Sequence, residues 1–359
     1  MDLMPIDRVD DWDRRLARQD AFWDRAVIDR PVVTIVLPKP TPDHPPTEHR
    51  RWPCLRDRWM DTAYQVELAL ARALNNEYLG DALPRSHPNL GPEVFSAFFG
   101  CEMEYGERTS WSIPNLNDWG DVDRLQLSRD NVYWRKLVEM TDALLDAGRG
   151  IFYTGMTDWH SGGDAVAAFR DPVNLNFDMI ERPGDVKALL ARINADYFEV
   201  FDFFYDKLAG TRQPITTWLG VVSTRKWYVP SNDFSCMISK AMFDDVFLPG
   251  IIEECRFFEA SCYHLDGPDA LRHLDSLLDI PELNAIQWVY GAGQGRASDW
   301  MPVYQRCQAA GKGLVLYLDV DELEFFMETL RPEGLHISLG GVTDREHADA
   351  ILKNVSRWT

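Results

Sequence analysis

Two kinds of segment alternate along this chain. Short runs that are apolar at both odd and even positions recur at 31–38 (PVVTIVLP), 151–156 (IFYTGM), 215–221 (ITTWLGV), 260–266 (ASCYHLD), 285–291 (AIQWVYG), 313–319 (GLVLYLD) and 335–340 (LHISLG). Runs of this length, closed by turn-forming or polar residues, read as strands buried on both faces of a parallel sheet. A short strand in DALPRSH (81–87) brings the count to eight. Between the runs, apolar residues recur at spacings of three and four, as in 55–76, 184–209, 239–260, 268–280 and 345–358, and these predict helices. Eight strands interleaved with helices point to an α/β fold, a closed (β/α)8 TIM barrel, with an open doubly wound sheet as the alternative.

Several segments decorate that scaffold. Residues 1–30 predict a helical extension, and the whole of 1–359 reads as one domain. The proline-dense stretch 38–53 excludes helix and is long enough to cover a site. A polar hairpin is expected from Cys101 to Ile113, and a helix from Asn131 to Ala147 that Gly148 can end in the left-handed conformation.

Charge narrows the function. Thirty-seven Lys and Arg against 57 Asp and Glu give a net charge of −20, which repels phosphate backbones and anionic lipid, so neither nucleic acid nor a membrane is an expected partner. The first twenty residues are too charged for a signal peptide and no apolar run reaches membrane-spanning length, which predicts a cytoplasmic protein. Six cysteines without a C-x-x-C pair are expected to be reduced.

In a barrel, chemistry gathers where the strands end. Arg85, His87 and Asn89 follow the second strand, and Asp158, Trp159, His160 and Asp164 follow the third. His264 and Asp266 end the fifth, Gln287 and Trp288 lie on the sixth, and Tyr317 and Asp319 end the seventh. His264 and Asp266, two apart on one strand, share a face and can act as base and orienter or as metal ligands. The structural alternative has Asp266 capping the next helix and His264 bonding a nearby loop. Asp158 and His160 can reach one ligand, while Asp164 is placed to cap a helix starting at Ala165. Trp111, Trp159, Trp218, Trp227 and Trp288 offer flat rings for stacking, or simply a packed core. GAGQGR (291–296) lacks the G-x-G-x-x-G spacing of a dinucleotide loop.

At 263–288, YHLDGPDALRHLDSLLDIPELNAIQW, the chain resembles the uroporphyrinogen decarboxylase superfamily, which includes methylcobamide:coenzyme M methyltransferases. The likeness extends over about 31–355, with GMTDWHSGGD (155–164) matching the segment after the third strand and LHISLGGVTD (335–344) the last strand and turn. It implies a TIM barrel of that type with its cleft at the strand C-termini. The decarboxylases' arginine-rich clamp is absent from VLPKPTPDHPP, and their catalytic carboxylate falls near Ser86 and His87. In the methyltransferase branch a His-x-Cys pair and a later Cys hold zinc. Here His264 matches the histidine, Asp266 replaces the first cysteine, and no cysteine stands near Gly340.

The resulting expectation is a methyltransferase or demethylase acting on a small substrate, with the corrinoid carried by a partner protein and a divalent metal, zinc or similar, on His264 and Asp266. His264, Asp266, His160 and Asp158 are the expected catalytic residues. His87, Arg85, Asn89, Trp159, Gln287, Trp288 and Tyr317 are the expected substrate contacts. The alternatives are a decarboxylase or lyase on a small carboxylate or sugar acid, using Arg85, His87 and His160, and a ligand-binding barrel without catalysis.

Overall fold

The alternating pattern folds as expected where the apolar runs are longest. The structure, a computed structural model, describes residues 3–45, 47 and 50–359; Pro46, Glu48 and His49 of the proline-dense stretch lie outside the described residues. Its centre is a seven-stranded sheet in the spatial order Asn76–Gly80, Val32–Pro38, Leu335–Gly340, Gly313–Asp319, Ala285–Val289, Ala260–Asp266 and Trp227–Tyr228. All neighbours are parallel except Asn76–Gly80, which runs antiparallel to Val32–Pro38.

The remaining runs form much shorter strands. Arg85–Ser86 pairs in parallel with Tyr153–Thr154, and a single bridge from Met156 to Thr217 extends that pair. Pro84 and Pro88 flank the first of these and carry no N–H for a ladder. At Thr154 both backbone groups are taken by the Gln213 side-chain amide, which accepts from the Thr154 N–H (3.1 Å) and donates to its carbonyl (2.5 Å). Ile215–Thr216 folds back on Val222–Ser223 as an antiparallel pair. Among the described residues the ladders therefore do not close into a ring, which corrects the expectation of a closed sheet; the architecture shown is mixed α/β around a central parallel sheet.

The hairpin forms as expected, Glu102–Tyr105 against Ser110–Ile113. The helix after Asn131 spans Val132–Gly148, with the Asn131 side chain accepting from the Tyr133 N–H; Gly148 lies inside it, and Gly150 is the residue with positive φ (71°). In the extension, helix Trp12–Trp23 buries Leu16, Gln19, Phe22 and Trp23. Gln19 acts as a peptide surrogate there, donating to the Asp81 carbonyl and accepting from the Val222 N–H. Trp23 packs on Trp227 at 5.0 Å and Phe22 on His336 at 5.8 Å, so this helix seals the end of the sheet where the strands begin. All six cysteines are free thiols, four of them buried. Among the described residues no helix is long and apolar enough to cross a membrane.

Candidate functional site

Three chain segments converge at the strand C-termini. The loop Thr157–Ser161 is pinned by the Tyr228 hydroxyl, which accepts from the Trp159 N–H (3.2 Å) and donates to the Thr157 carbonyl (2.6 Å). The His160 backbone N–H donates to the Pro92 carbonyl, which anchors the loop at that residue. A turn at Asp233–Met237 follows the Trp227–Tyr228 strand, and Ser231 bridges in parallel to His264. The strand Ala260–Asp266 supplies His264 and Asp266.

Asp233 joins the two halves. His160 Nδ1 stands 3.5 Å from Asp164 Oδ2 and 3.7 Å from Asp233 Oδ2, and its Nε2 stands 3.5 Å from Asp158 Oδ1. His264 Nε2 lies 3.9 Å from Asp233 Oδ1. Two sets of potential ligand atoms result, each within 4.8 Å of one another: His160, Asp164 and Asp233, and Asp233, His264 and Asp266.

The sets differ in what their atoms are already doing. Asp164 accepts from the N–H groups of Asp233 (3.0 Å) and Phe234 (2.9 Å) and from the Ser231 hydroxyl (3.3 Å). It thus ties down the Asp233 turn, and it does not cap its own helix, which spans Gly162–Arg170. Burial first, and then the Asp233 charge, push Asp164 up to about 6. Burial alone would depress His160, but Asp158 and then the Asp164 and Asp233 charges overcome it and raise His160 to about 10. The first set is therefore compensated by its own imidazolium. Burial acts to raise Asp158 as well, yet the neighbouring His160, and more weakly His87 and His264, bring it below the ordinary carboxylate value.

The second set is open. His264 Nδ1 lies 2.7 Å from Gln287 Oε1, and a carbonyl oxygen only accepts, so Nδ1 carries a proton and Nε2 is the ring nitrogen turned toward Asp233. Gln287, not Asp266, fixes the tautomer. Asp233 Oδ1 is buried without a hydrogen-bond partner, and among the described residues nothing donates to the Asp266 carboxylate, which leaves the following turn uncapped. Trp218 closes on the His264 ring edge-to-face at 5.3 Å. Cys236 is close enough for the Asp233 and Asp269 charges to add to burial in raising its thiol, which disfavours a thiolate ligand.

Beside His160, Asp164 and Asp233 opens a pocket of about 530 Å³ walled by Trp111, Phe234 and Met237. The hairpin supplies Trp111, so the decoration read from the sequence forms part of the pocket.

Other expected contacts lie elsewhere or are occupied. Trp159 is buried against Tyr197, Phe204 and Tyr228, and Trp288 points to the helix side, packing on Trp300 at 5.2 Å; both are core residues. The Asn89 side chain accepts from the Gly91 N–H in a local turn. The Arg85 guanidinium donates to the Thr217 and Trp218 carbonyls, and Tyr317 donates across the interior to the Leu219 carbonyl. His87 sits near Asp158, with burial and then the Arg85 charge holding it down to about 4. Arg296 pairs with Asp321 at 2.6 Å, which removes the cation that the GAGQGR loop would offer an anion.

Asp233 was not legible as a site residue, because it follows a two-residue strand outside the expected rhythm. The signal available was WYVP before SND, an apolar pair leading into a polar turn.

No protein-family model matches this chain, and no curated protein matches it in sequence. Among solved structures it is similar to a methyltransferase from Methanosarcina mazei, with a TM-score of 0.59 and 13% identity over 96% of this chain and 98% of that one. The likeness runs nearly end to end and concerns the fold.

Proposed function

We propose that this protein is a methyltransferase that moves a methyl group from a small oxygen-linked substrate to a corrinoid carried by a partner protein, on an incompletely closed variant of the uroporphyrinogen decarboxylase type of α/β fold. The observation that carries the reading is the open set of His264, Asp233 and Asp266, with Gln287 engaging Nδ1 of the histidine so that Nε2 is the ring nitrogen left for a ligand. The end-to-end fold likeness to a methyltransferase supports it.

An all-nitrogen-and-oxygen donor set with a buried, unpartnered carboxylate oxygen fits a divalent cation such as zinc or manganese. His264, Asp233 and Asp266 would hold it, and when bound it supplies positive charge that polarises a substrate oxygen. The chain's own groups do the rest. His160, protonated on both nitrogens at neutral pH, holds Asp158 through Nε2 and Asp164 and Asp233 through Nδ1, and as a lining residue of the pocket it can pass a proton to a departing oxygen. Trp111, Phe234 and Met237 offer the methyl group an apolar wall. A lyase acting on a carboxylate is less well supported, because Arg85 is spent on backbone carbonyls.

The test is methylcobalamin formation from cob(I)alamin and a panel of small methyl ethers, before and after chelation. Turnover that chelation removes and zinc or manganese restores is expected. No methyl transfer from any ether, with no metal retained, would leave the reading without support.

Gln287→Leu tests the tautomer argument on its own. With the Nδ1 proton unheld, metal affinity is expected to fall by about 10–100-fold while the fold stays intact. Unchanged affinity in a competition titration would remove Gln287 from the site.

Docking of the carrier is assigned to the helix Pro172–Glu181, whose first residue lines the pocket and whose Val173, Phe177 and Ile180 form an exposed apolar stripe. Phe177→Glu is expected to raise KM for the protein-bound corrinoid by about 10-fold or more, leaving free cob(I)alamin turnover unchanged. Equal effects on both acceptors would mean that the helix serves the pocket and not the partner.

A further inference from the structure

A second chamber lies behind the cluster. It has a volume of about 170 Å³ and is lined by Gly162, Gly163, Ser231 and Asn232, whereas their neighbours Asp164 and Asp233 line the larger pocket. Its far side is formed by Asn194 and Leu190 of the helix Pro183–Ala209 and by Glu254 of the helix Leu248–Phe257.

The chamber buries polar atoms that no hydrogen bond among the described residues satisfies. Asn194, Asn232 and Glu254 are each no more than 3% exposed. Both amide atoms of Asn232, Oδ1 of Asn194 and Oε2 of Glu254 are buried without a hydrogen-bond partner. A buried polar group left unmatched keeps its full desolvation penalty. Two glycines make room for these side chains: a Cβ on Gly163 would stand 2.7 Å from the Asn232 amide atoms, and one on Gly250 would stand 2.5 Å from Asn194 Nδ2. The wall also includes Asp245, Val246 and Phe247 from a π-helical turn at Phe243–Phe247, a backbone irregularity that recurs at functional sites.

The unmatched atoms state the ligand's chemistry. Two are amide acceptors, on Asn194 and Asn232, one is the Asn232 donor, and Glu254 Oε2 is an acceptor in the ionised carboxylate that a cation would favour. Glu254 Oε1 already accepts from the Ser161 hydroxyl, so the Oε2 lone pairs remain. Burial, with the Asp164 charge adding to it and the Ser161 hydrogen bond opposing, pushes Glu254 up to about 8, as befits a carboxyl enclosed without a counter-cation. Lys187 at the edge is engaged by Asp245 at 2.6 Å, so it does not invite an anion. Leu190, Val246 and Phe247 supply an apolar wall.

We propose that this chamber is a second ligand site that takes a short alkylammonium ion, its N–H groups on Glu254, Asn194 and Asn232 and its carbon chain against Leu190, Val246 and Phe247. The site is separate from the methyl-transfer centre and does not depend on that reading. Asn232 adjoins Asp233 in the chain, so an occupant rests directly against the backbone that positions the shared carboxylate.

Calorimetric titration with n-propylammonium chloride, n-propanol and sodium propionate tests it on the unaltered protein. Propylammonium is expected to bind saturably with Kd about 1 mM, the scale a ligand of four heavy atoms reaches, and the alcohol and the carboxylate are not. Glu254→Gln should weaken propylammonium by about 10-fold or more, since a charge-assisted hydrogen bond becomes a neutral one. Asp266→Asn should leave that affinity unchanged. No saturable ammonium binding, equal binding of propanol, or loss in Asp266→Asn with retention in Glu254→Gln would each overturn the proposal. The selectivity among the three probes needs no variant, so it decides the matter even if Glu254→Gln does not fold.

Discussion

Asp233→Asn is expected to abolish the metal-dependent thermal shift that the proposed cation site would give, while changing the stability of the metal-free fold little. The carboxylate is the one group common to both ligand sets, and its Oδ1 is buried without a hydrogen-bond partner, so the amide removes a candidate ligand and gives up, of the fold's own contacts, the long charge contact from Oδ2 to His160. The contact that matters to the fold, from the Asp233 backbone N–H to Asp164, survives the change. The substitution also deletes one of three carboxylates crowded around His160, which lowers like-charge repulsion in the metal-free state. Loss of a residue that only orients a ligand costs about 10–100-fold in metal affinity, so loss of a ligand itself should cost at least about 100-fold. At a metal concentration of about 100 times Kd, the parent gains about 2.7 kcal/mol of stability from the cation, and the variant should gain almost none. Melting curves recorded with and without zinc or manganese check this. A shift of equal size in both proteins would move the metal away from Asp233, and methyl transfer surviving in the variant would detach the chemistry from the cluster.

What the sequence conveyed of this site follows from how each residue is held. His264 and Asp266 end a seven-residue strand whose apolar run is unmistakable, and their period of two places both on one face. Asp158 and His160 were legible because they follow another apolar run, although that strand has shrunk to Tyr153–Thr154. The expectation of Trp288 at the mouth fails because a single sequence does not reveal which parity of a doubly buried strand faces inward, and that of Trp159 because a loop residue past a strand end has no periodicity to say whether it turns to the mouth or to the core. The structure turns Trp288 outward because Gln287, its neighbour, faces His264. Asp164 looked like a local cap, and its actual partners lie 69 and 70 residues away on the Asp233 turn, a long-range pairing that no local pattern encodes. The incomplete ring has the same origin. Side-chain amides of Gln19 and Gln213 take hydrogen bonds that a barrel would route through neighbouring strands, and glutamine in a loop or helix carries no signature of that use.

The closed end of the sheet predicts the protein's behaviour in acid. His336 is 1% exposed, packs edge-on against Phe22, and has both ring nitrogens buried without a partner. Burial, and then the Arg85 charge, hold its pKa down to about 3, and His87 is held to about 4 for the same two reasons. In the unfolded chain both return to about 6.5. A depressed histidine leaves the unfolded state with more bound protons between those values, so its neutral folded form is fully favoured above about pH 6.5 and loses ground as pH falls toward 3 or 4. His336 alone then contributes a slope of up to about 1.4 kcal/mol per pH unit below about pH 6, with His87 adding in the same direction. His336→Leu removes the titration and the two unmatched nitrogens while keeping an apolar contact for Phe22. Its stability at pH 8 should match or exceed that of the parent, and its loss between pH 6 and 4 should be shallower by about 1 kcal/mol per pH unit. Urea unfolding at half-unit pH steps measures both curves. Parallel curves would mean that His336 does not titrate on unfolding, and that the acid sensitivity of the fold resides in His87 and the carboxylates of the site.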